Sequence, residues 1–226
     1  MSTQRLASKS SKKVSKRKAQ VSQSDVRSMV RKEIYKTMET KEYPYFLSSN
    51  ALSTIDQLCI NTVPQGDSAQ TREGNRIMMS HISVKVAAVP LSTATGNQLF
   101  KWAVVLDKQS NGTQPAWSEI TTQSVVTDPV LAPLTPNAYS RFQILATDTA
   151  LIGHSLQQPA YYKEKFIPLK GLEAAYVGSG GSYTSLVTNA IWFYIIPSNQ
   201  AFFSYGVQDA EYTMAANLIF KDNEGS

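Results

Sequence analysis

Gln65–Ile77 reads QGDSAQTREGNRI, and the residues after it, Ile77–Val89, read IMMSHISVKVAAV. The first part is rich in turn formers, with Pro64 just before it and Gly66, Asp67, Ser68 and Gly74 within it. The second alternates as a half-buried strand does. Ile82, Val84 and Val86 point one way, and Ser83, Lys85 and Ala87 the other. Everything N-terminal to this junction is basic and polar. Nearly everything C-terminal to it is short apolar runs and turns. The expected organisation is a β-sandwich hung on this strand, as its first core strand, with a cationic segment in front of it.

The charge distribution sharpens that division. The chain has 226 residues and a formal net charge of +5. Residues 1–43 hold 12 Lys and Arg against 4 Asp and Glu, net +8, and the remainder is net −3. A basic segment attached to a nearly neutral body is the pattern of an arm that seeks a polyanion. Met1–Gln23 has too few large apolar residues to offset its ordering entropy, so it is expected to be disordered when free. Within it, Arg5, Lys9, Lys12, Lys13, Lys16, Arg17 and Lys18 carry no compensating acid. The functional reading is phosphate binding, and the plain alternative is a solubilising tail. The run Lys12, Lys13, Lys16, Arg17 and Lys18 also matches a nuclear localisation signal, which would place the protein in a host nucleus.

Ser22–Thr40 has helical spacing. Val26, Met29, Val30, Ile34 and Met38 form a narrow apolar stripe, and Arg27, Arg31, Lys32 and Lys36 lie on the other faces. Such a helix fits between a protein body and a nucleic acid. The stripe lacks Trp and Phe, which argues against a membrane-surface helix. No apolar run approaches the ~18 residues of a spanning segment, and the longest is Ala190–Ile196. The basic N-terminus has no apolar segment behind it, so it is not expected to be a secretory signal.

After residue 43 the pattern gives about eight short strands. They are Tyr45–Leu47, Thr54–Ile60, Ile77–Val89, Gln98–Asp107, Arg141–Leu151, Tyr161–Leu169, Thr188–Ile196 and Glu211–Phe220. Long loops separate several of them, and no repeat is present. The body (44–226) therefore reads as all-β, and an eight-stranded jelly-roll sandwich is the solution with long crossovers. Trp192, Phe193 and Tyr194 in a near-continuous apolar run suit a strand buried on both faces or one packed at a subunit contact. Gly178–Gly181, reading GSGG, is expected to be a flexible loop. It lacks the Lys-Ser/Thr of a phosphate-binding loop. Asn111-Gly112-Thr113 matches a glycosylation sequon at the tip of a turn.

Enzyme chemistry finds little to stand on. The histidines are His81 and His154, and neither comes with a located nucleophile or orienting acid. Cys59 is the lone cysteine, so no intrachain disulfide can form, and a buried hydrophobic role suits it. Cys/His metal clusters are absent, and no cofactor is expected.

A resemblance rests on particular pieces. Gln65-Gly66-Asp67, Arg72, Gly74, Ile77 and Ser80-His81 follow a basic arm and a helix. Then come Val104-Val105-Leu106-Asp107-Lys108-Gln109 with Asn111-Gly112, and Arg141-Phe142-Gln143-Ile144-Leu145. In order and spacing these resemble the single-jelly-roll capsid proteins of small icosahedral viruses. The nearest echoes are coat proteins of satellite necrosis-type plant viruses and of small circular single-stranded DNA viruses. Glu73 and Asn75 around Gly74 depart from the pattern. The resemblance implies a structural virion protein, not an enzyme. Identical subunits would form the smallest icosahedral shell (T=1), with the arm inside on a single-stranded DNA or RNA genome and no membrane. Calcium at subunit contacts, as in some relatives, stays open, although no acidic loop announces a site. The alternative class is a non-capsid viral movement or shuttle protein that binds nucleic acid on the same fold. Arg72 and Arg76, flanking Gly74 at a tight turn or bulge, are expected to contact another subunit or phosphate.

Overall fold

The computed structural model describes residues 23–24, 26–27, 29–30, 33, 38–91, 96–122, 128–153, 160–199 and 210–222. It divides into two units, Met1–Thr37 and Met38–Ser226. In the first unit the described positions are helical and exposed, Val26, Arg27, Met29 and Val30 among them. The second unit is the β-body.

Nine strands lie among the described residues of the body. They are β1 (Thr40–Ala51), β2 (Asp56–Cys59), β3 (Arg76–Pro90), β4 (Asn97–Asp107), β5 (Phe142–Gly153), β6 (Tyr161–Tyr176), β7 (Leu186–Thr188), β8 (Ala190–Pro197) and β9 (Ala210–Asp222). One sheet has the order β1-β9-β3-β6-β7 and the other β2-β8-β4-β5. With the three-residue β7 set aside, eight strands pair antiparallel in a nested series: β1 with β9, β2 with β8, β3 with β6, and β4 with β5. This is one long hairpin rolled up into two four-stranded sheets, the jelly roll. The eight-strand count is corrected by β7, which pairs with the end of β6 and is too short to show a period of its own. The strand starting at Ile77 is the third of the roll, not the first. Its predecessor β1 begins at Thr40, so Thr40–Tyr43, assigned to the arm by composition, pair with β9.

Side-chain alternation explains the core. Along β9, Tyr212, Met214, Ala216, Leu218 and Phe220 are buried, and the residues between them are half-exposed. On β3, Ile77 and Met79 face inward and so do Ile82, Val84 and Val86, which strict alternation forbids. A register shift between Met79 and His81 restores the inward face. Opposite it, Lys170 and Gly171 have φ of 55° and 77°, the left-handed region that lets β6 accommodate extra residues.

β8 is buried along its whole length. Phe193 stacks on Trp102 in the core, with ring centroids 6.3 Å apart. Trp192 and Tyr194 point to the other side, and the chain itself covers them. Tyr183 lies against Trp192, and Trp117 from a short helical turn (Trp117–Ile120) lies against Tyr194 at 5.3 Å. The Tyr194 hydroxyl donates to the Pro115 carbonyl, and the Trp117 indole N–H to that of Pro129. The connection between β4 and β5 thus lies on the outer face of the four-stranded sheet. Of the two readings of this run, burial on both faces holds: Trp192, Phe193 and Tyr194 are interior residues and not a subunit-contact surface.

Candidate nucleic-acid arm and its anchorage

Of the residues proposed to bind phosphate, Arg27 is described, exposed on the helical segment. Arg5, Lys9, Lys12, Lys13, Lys16, Arg17, Lys18, Arg31, Lys32 and Lys36 lie outside the described residues, as do the five positions of the nuclear localisation match. The boundary between the two units refines the charge division. Residues 1–37 hold 11 basic and 2 acidic side chains, net +9, and residues 38–226 are net −4.

Lys41 belongs to the fold. It is 3% exposed, and its ammonium lies 2.6 Å from Glu73, 3.6 Å from Glu39 and 3.8 Å from Asp222. Burial alone lowers the pKa of the amine, but the hydrogen bond to Glu73 and the charges of all three carboxylates outweigh it and raise the pKa. Asp222 is fully buried and accepts the Glu73 amide N–H, and its own N–H donates to the Glu39 carbonyl. The start of β1, the Glu73 turn and the end of β9 therefore meet at one ionic cluster. Sequence reading missed it because the partners are far apart in the chain.

Arg72 is the correction of greatest consequence. It is fully buried and touches no solvent. Nε donates to the Val63 carbonyl at 3.1 Å, Nη1 to that of Gly74 at 2.6 Å, and Nη2 to that of Gly178 at 2.6 Å. Longer bonds reach Asn75 Oδ1 and the Gly180 carbonyl. The guanidinium sits 4.4 Å above the Tyr176 ring, whose hydroxyl donates to the Asn61 carbonyl. Burial pulls the Arg72 pKa down, partly offset by Tyr176 and Asp222. The GSGG loop is held by this side chain and by the Gln65 amide on the Ser179 carbonyl. Gly181 packs so closely that a Cβ there would lie 2.9 Å from Pro64 Cβ. The loop expected to be flexible is thus pinned, and Arg72 contacts neither phosphate nor another subunit. Arg76 is exposed and pairs with Glu173 at 3.1 Å.

Two other pieces of the resemblance also meet in space. Asp107 accepts a bidentate pair of bonds from Arg141, Nε at 2.9 Å and Nη2 at 2.8 Å. They tie the end of β4 to the residue before β5, and the Asp107 hydrogen bond raises the Arg141 pKa. Arg72, Asp107 and Arg141, all pieces of the resemblance, thus fasten segments of the body.

His81 is half-buried and lies against Phe166, centroids 4.6 Å apart, with its Nδ1 3.4 Å from Ser80 Oγ. His154 lies outside the described residues. Cys59 is buried, and burial pushes its thiol pKa far up. Asn111 is exposed, with Oδ1 accepting from the Thr113 amide and hydroxyl. Among the described residues no group of three or more His, Cys, Asp or Glu could hold a metal ion, and no helix is long and apolar enough to cross a membrane.

Between β4, β5 and β6, the Tyr161 hydroxyl accepts the Trp102 indole N–H at 2.7 Å and donates to Asp148 at 3.0 Å. Burial and Asp148 push the Tyr161 pKa up to about 12. Burial on its own raises the Asp148 pKa, but the Tyr161 hydroxyl, the Thr149 amide and Lys163 outweigh it and hold it below the usual value. That stabilisation is present above the unfolded pKa, about 3.9, and is lost as the pH falls through the lower folded value. Tyr161→Phe leaves the buried Trp102 N–H without its acceptor, so a loss of about 1–3 kcal/mol is expected at pH 7. The loss should shrink in acid, where Asp148 is protonated in both proteins. Urea unfolding at neutral and acidic pH checks both statements.

The fold defines a class, the single jelly-roll body carrying a separate basic segment. A family model described as Satellite tobacco necrosis virus coat protein matches residues 10–215, and the chain belongs to that family of viral coat proteins. Solved structures similar to it include turnip yellow mosaic virus at 100 K, 12% identical over 84% of this chain and 97% of that one, with a TM-score of 0.40. Desmodium yellow mottle tymovirus is 10% identical over 84% and 90%, with a TM-score of 0.38. A 60-mer of the BFDV capsid protein is 12% identical over 84% and 97%, with a TM-score of 0.37. No curated protein matches. A coat protein is a structural component of the virion.

Proposed function

We propose that this coat protein assembles into the smallest class of icosahedral shell and packages a single-stranded genome through its arm. The observation that carries the reading is the coincidence of two boundaries. The chain divides into units at residue 37, and its charge divides there too, +9 before and −4 after. A body of that charge has no cation excess with which to hold a polyanion, whereas the arm does. With about 60 subunits, arms of net +9 bring roughly 540 positive charges to the interior, enough to neutralise much of a small single-stranded genome. Phosphate is common to DNA and RNA, so the arm suits either.

The test is sedimentation velocity and electron microscopy of the purified full-length chain, followed by nuclease typing of copurifying nucleic acid. Closed particles of uniform size with protected single-stranded nucleic acid are expected. A chain that stays monomeric with and without nucleic acid refutes assembly. A monomer that still binds single strands would fit the movement or shuttle alternative.

A further inference from the structure

The two sheets differ on their outer sides. That of β2-β8-β4-β5 is covered by the β4–β5 connection, as Trp117 on Tyr194 shows. That of β1-β9-β3-β6 carries Phe46, Tyr162 and Phe166, each about two-thirds exposed, and Val89, about half exposed. The strand register puts them on one surface. Phe46 stands opposite Ala215, which is opposite Lys85, and Ala87 lies between Thr213 and Tyr162. Phe166 is reached from Pro44 through Asn217 and Ser83. Small residues on the two central strands thus form a floor between aromatic walls on β1 and β6.

The charges on this surface select the partner. Lys85 is held by Glu164 at 3.6 Å and Arg76 by Glu173 at 3.1 Å, within a body of net −4. Cations already matched by carboxylates leave little attraction for a phosphate backbone. They suit a neutral protein surface on which aromatic residues supply the contact. The area is adequate. Four strands ~4.8 Å apart and about ten residues long offer roughly 600 Å² per copy, or about 1,200 Å² for two, the lower bound of stable interfaces. We propose that the outer face of the β1-β9-β3-β6 sheet packs against a second copy of this chain in the assembled particle. The proposal rests on the assembly reading above and adds where the copies touch.

Tyr162→Cys in the full-length protein supplies a reporter on the face, with Val89→Cys as a second near its end. The native Cys59 is buried, so background labelling is low. A small maleimide should label dissociated subunits readily and label particles at least an order of magnitude more slowly. That protection should survive nuclease removal of the packaged nucleic acid. Particles that label as fast as dissociated subunits overturn the proposal while leaving assembly intact. Protection that disappears with the nucleic acid assigns the face to the genome and also overturns it. Tyr162→Glu, at an exposed position, should leave the melting curve of dissociated subunits unchanged and abolish particles; normal particle yield counts against the face. A wild-type chain that forms no particles under any condition removes both this proposal and the assembly reading.

Discussion

Replacing Arg72 with methionine is expected to destabilise the body by about 3 kcal/mol or more, because the buried carbonyls of Val63 and Gly74 lose their donor and the part-buried carbonyl of Gly178 loses its bond. For a domain of this size that corresponds to a drop of roughly 6–12 °C in melting temperature. The carbonyls of Val63, Gly74 and Gly178 come from three separate segments, so the damage should include loosening of the GSGG loop. Arg72→Lys should rescue little. A single ammonium cannot donate along the directions of a planar guanidinium and cannot stack flat on Tyr176 in the same way. Thermal denaturation of dissociated subunits gives the stability, and hydrogen exchange of residues 178–181 gives the loop. An Arg72→Met protein that melts with the wild type would show that these bonds are replaceable. Arg76→Ala, by contrast, removes one exposed ion pair and should cost no more than about 1 kcal/mol.

Deleting residues 1–20 is expected to leave the body folded and to remove most of the affinity for single-stranded nucleic acid. Seven basic side chains go and no acidic one. If each neutralises one phosphate, the log–log salt dependence of single-strand binding should become shallower by about 5. Arg27, Arg31, Lys32 and Lys36 remain and should support weak binding. Affinity should depend on salt and hardly on base sequence, because phosphate contacts carry no sequence information. Lys41 takes no part, being closed within its ring of carboxylates. Salt titrations of full-length and truncated protein against the same oligonucleotide measure the difference. Equal affinity and equal slope would place genome binding elsewhere in the chain.

The strands were legible wherever one face meets the core and the other meets solvent. β9 reads directly from Tyr212 to Phe220, and β3 from Ile82 onward. β1 was read only at Tyr45–Leu47, because Lys41 and Pro44 are poor strand markers and Lys41 is buried for a reason no local window contains. Arg72 was misread for the same kind of reason. A buried arginine needs acceptors, and two of the five here, the Gly178 and Gly180 carbonyls, lie 106 and 108 residues away. β8 was read as buried on both faces, but sequence could not tell a neighbouring subunit from the chain's own connection. The N-terminal segment was legible as charge alone.

The nested pairing of the roll has a consequence for how the protein is made. β1 leaves the ribosome first among the strands, yet its partner is β9, with Thr40 opposite Lys221. β2 must likewise wait for β8. Neither outer pair can form until nearly the whole body has been translated, and such long-range closure is slow. The basic segment emerges before all of this, so for the duration of synthesis the nascent chain carries a net-positive segment ahead of an unfinished domain. A truncated product would keep its charge but lack β9, which is the strand that seats between β1 and β3. Translation thereby separates the appearance of the cationic segment from the completion of the β-body, and only chains that extend through β9 reach the second.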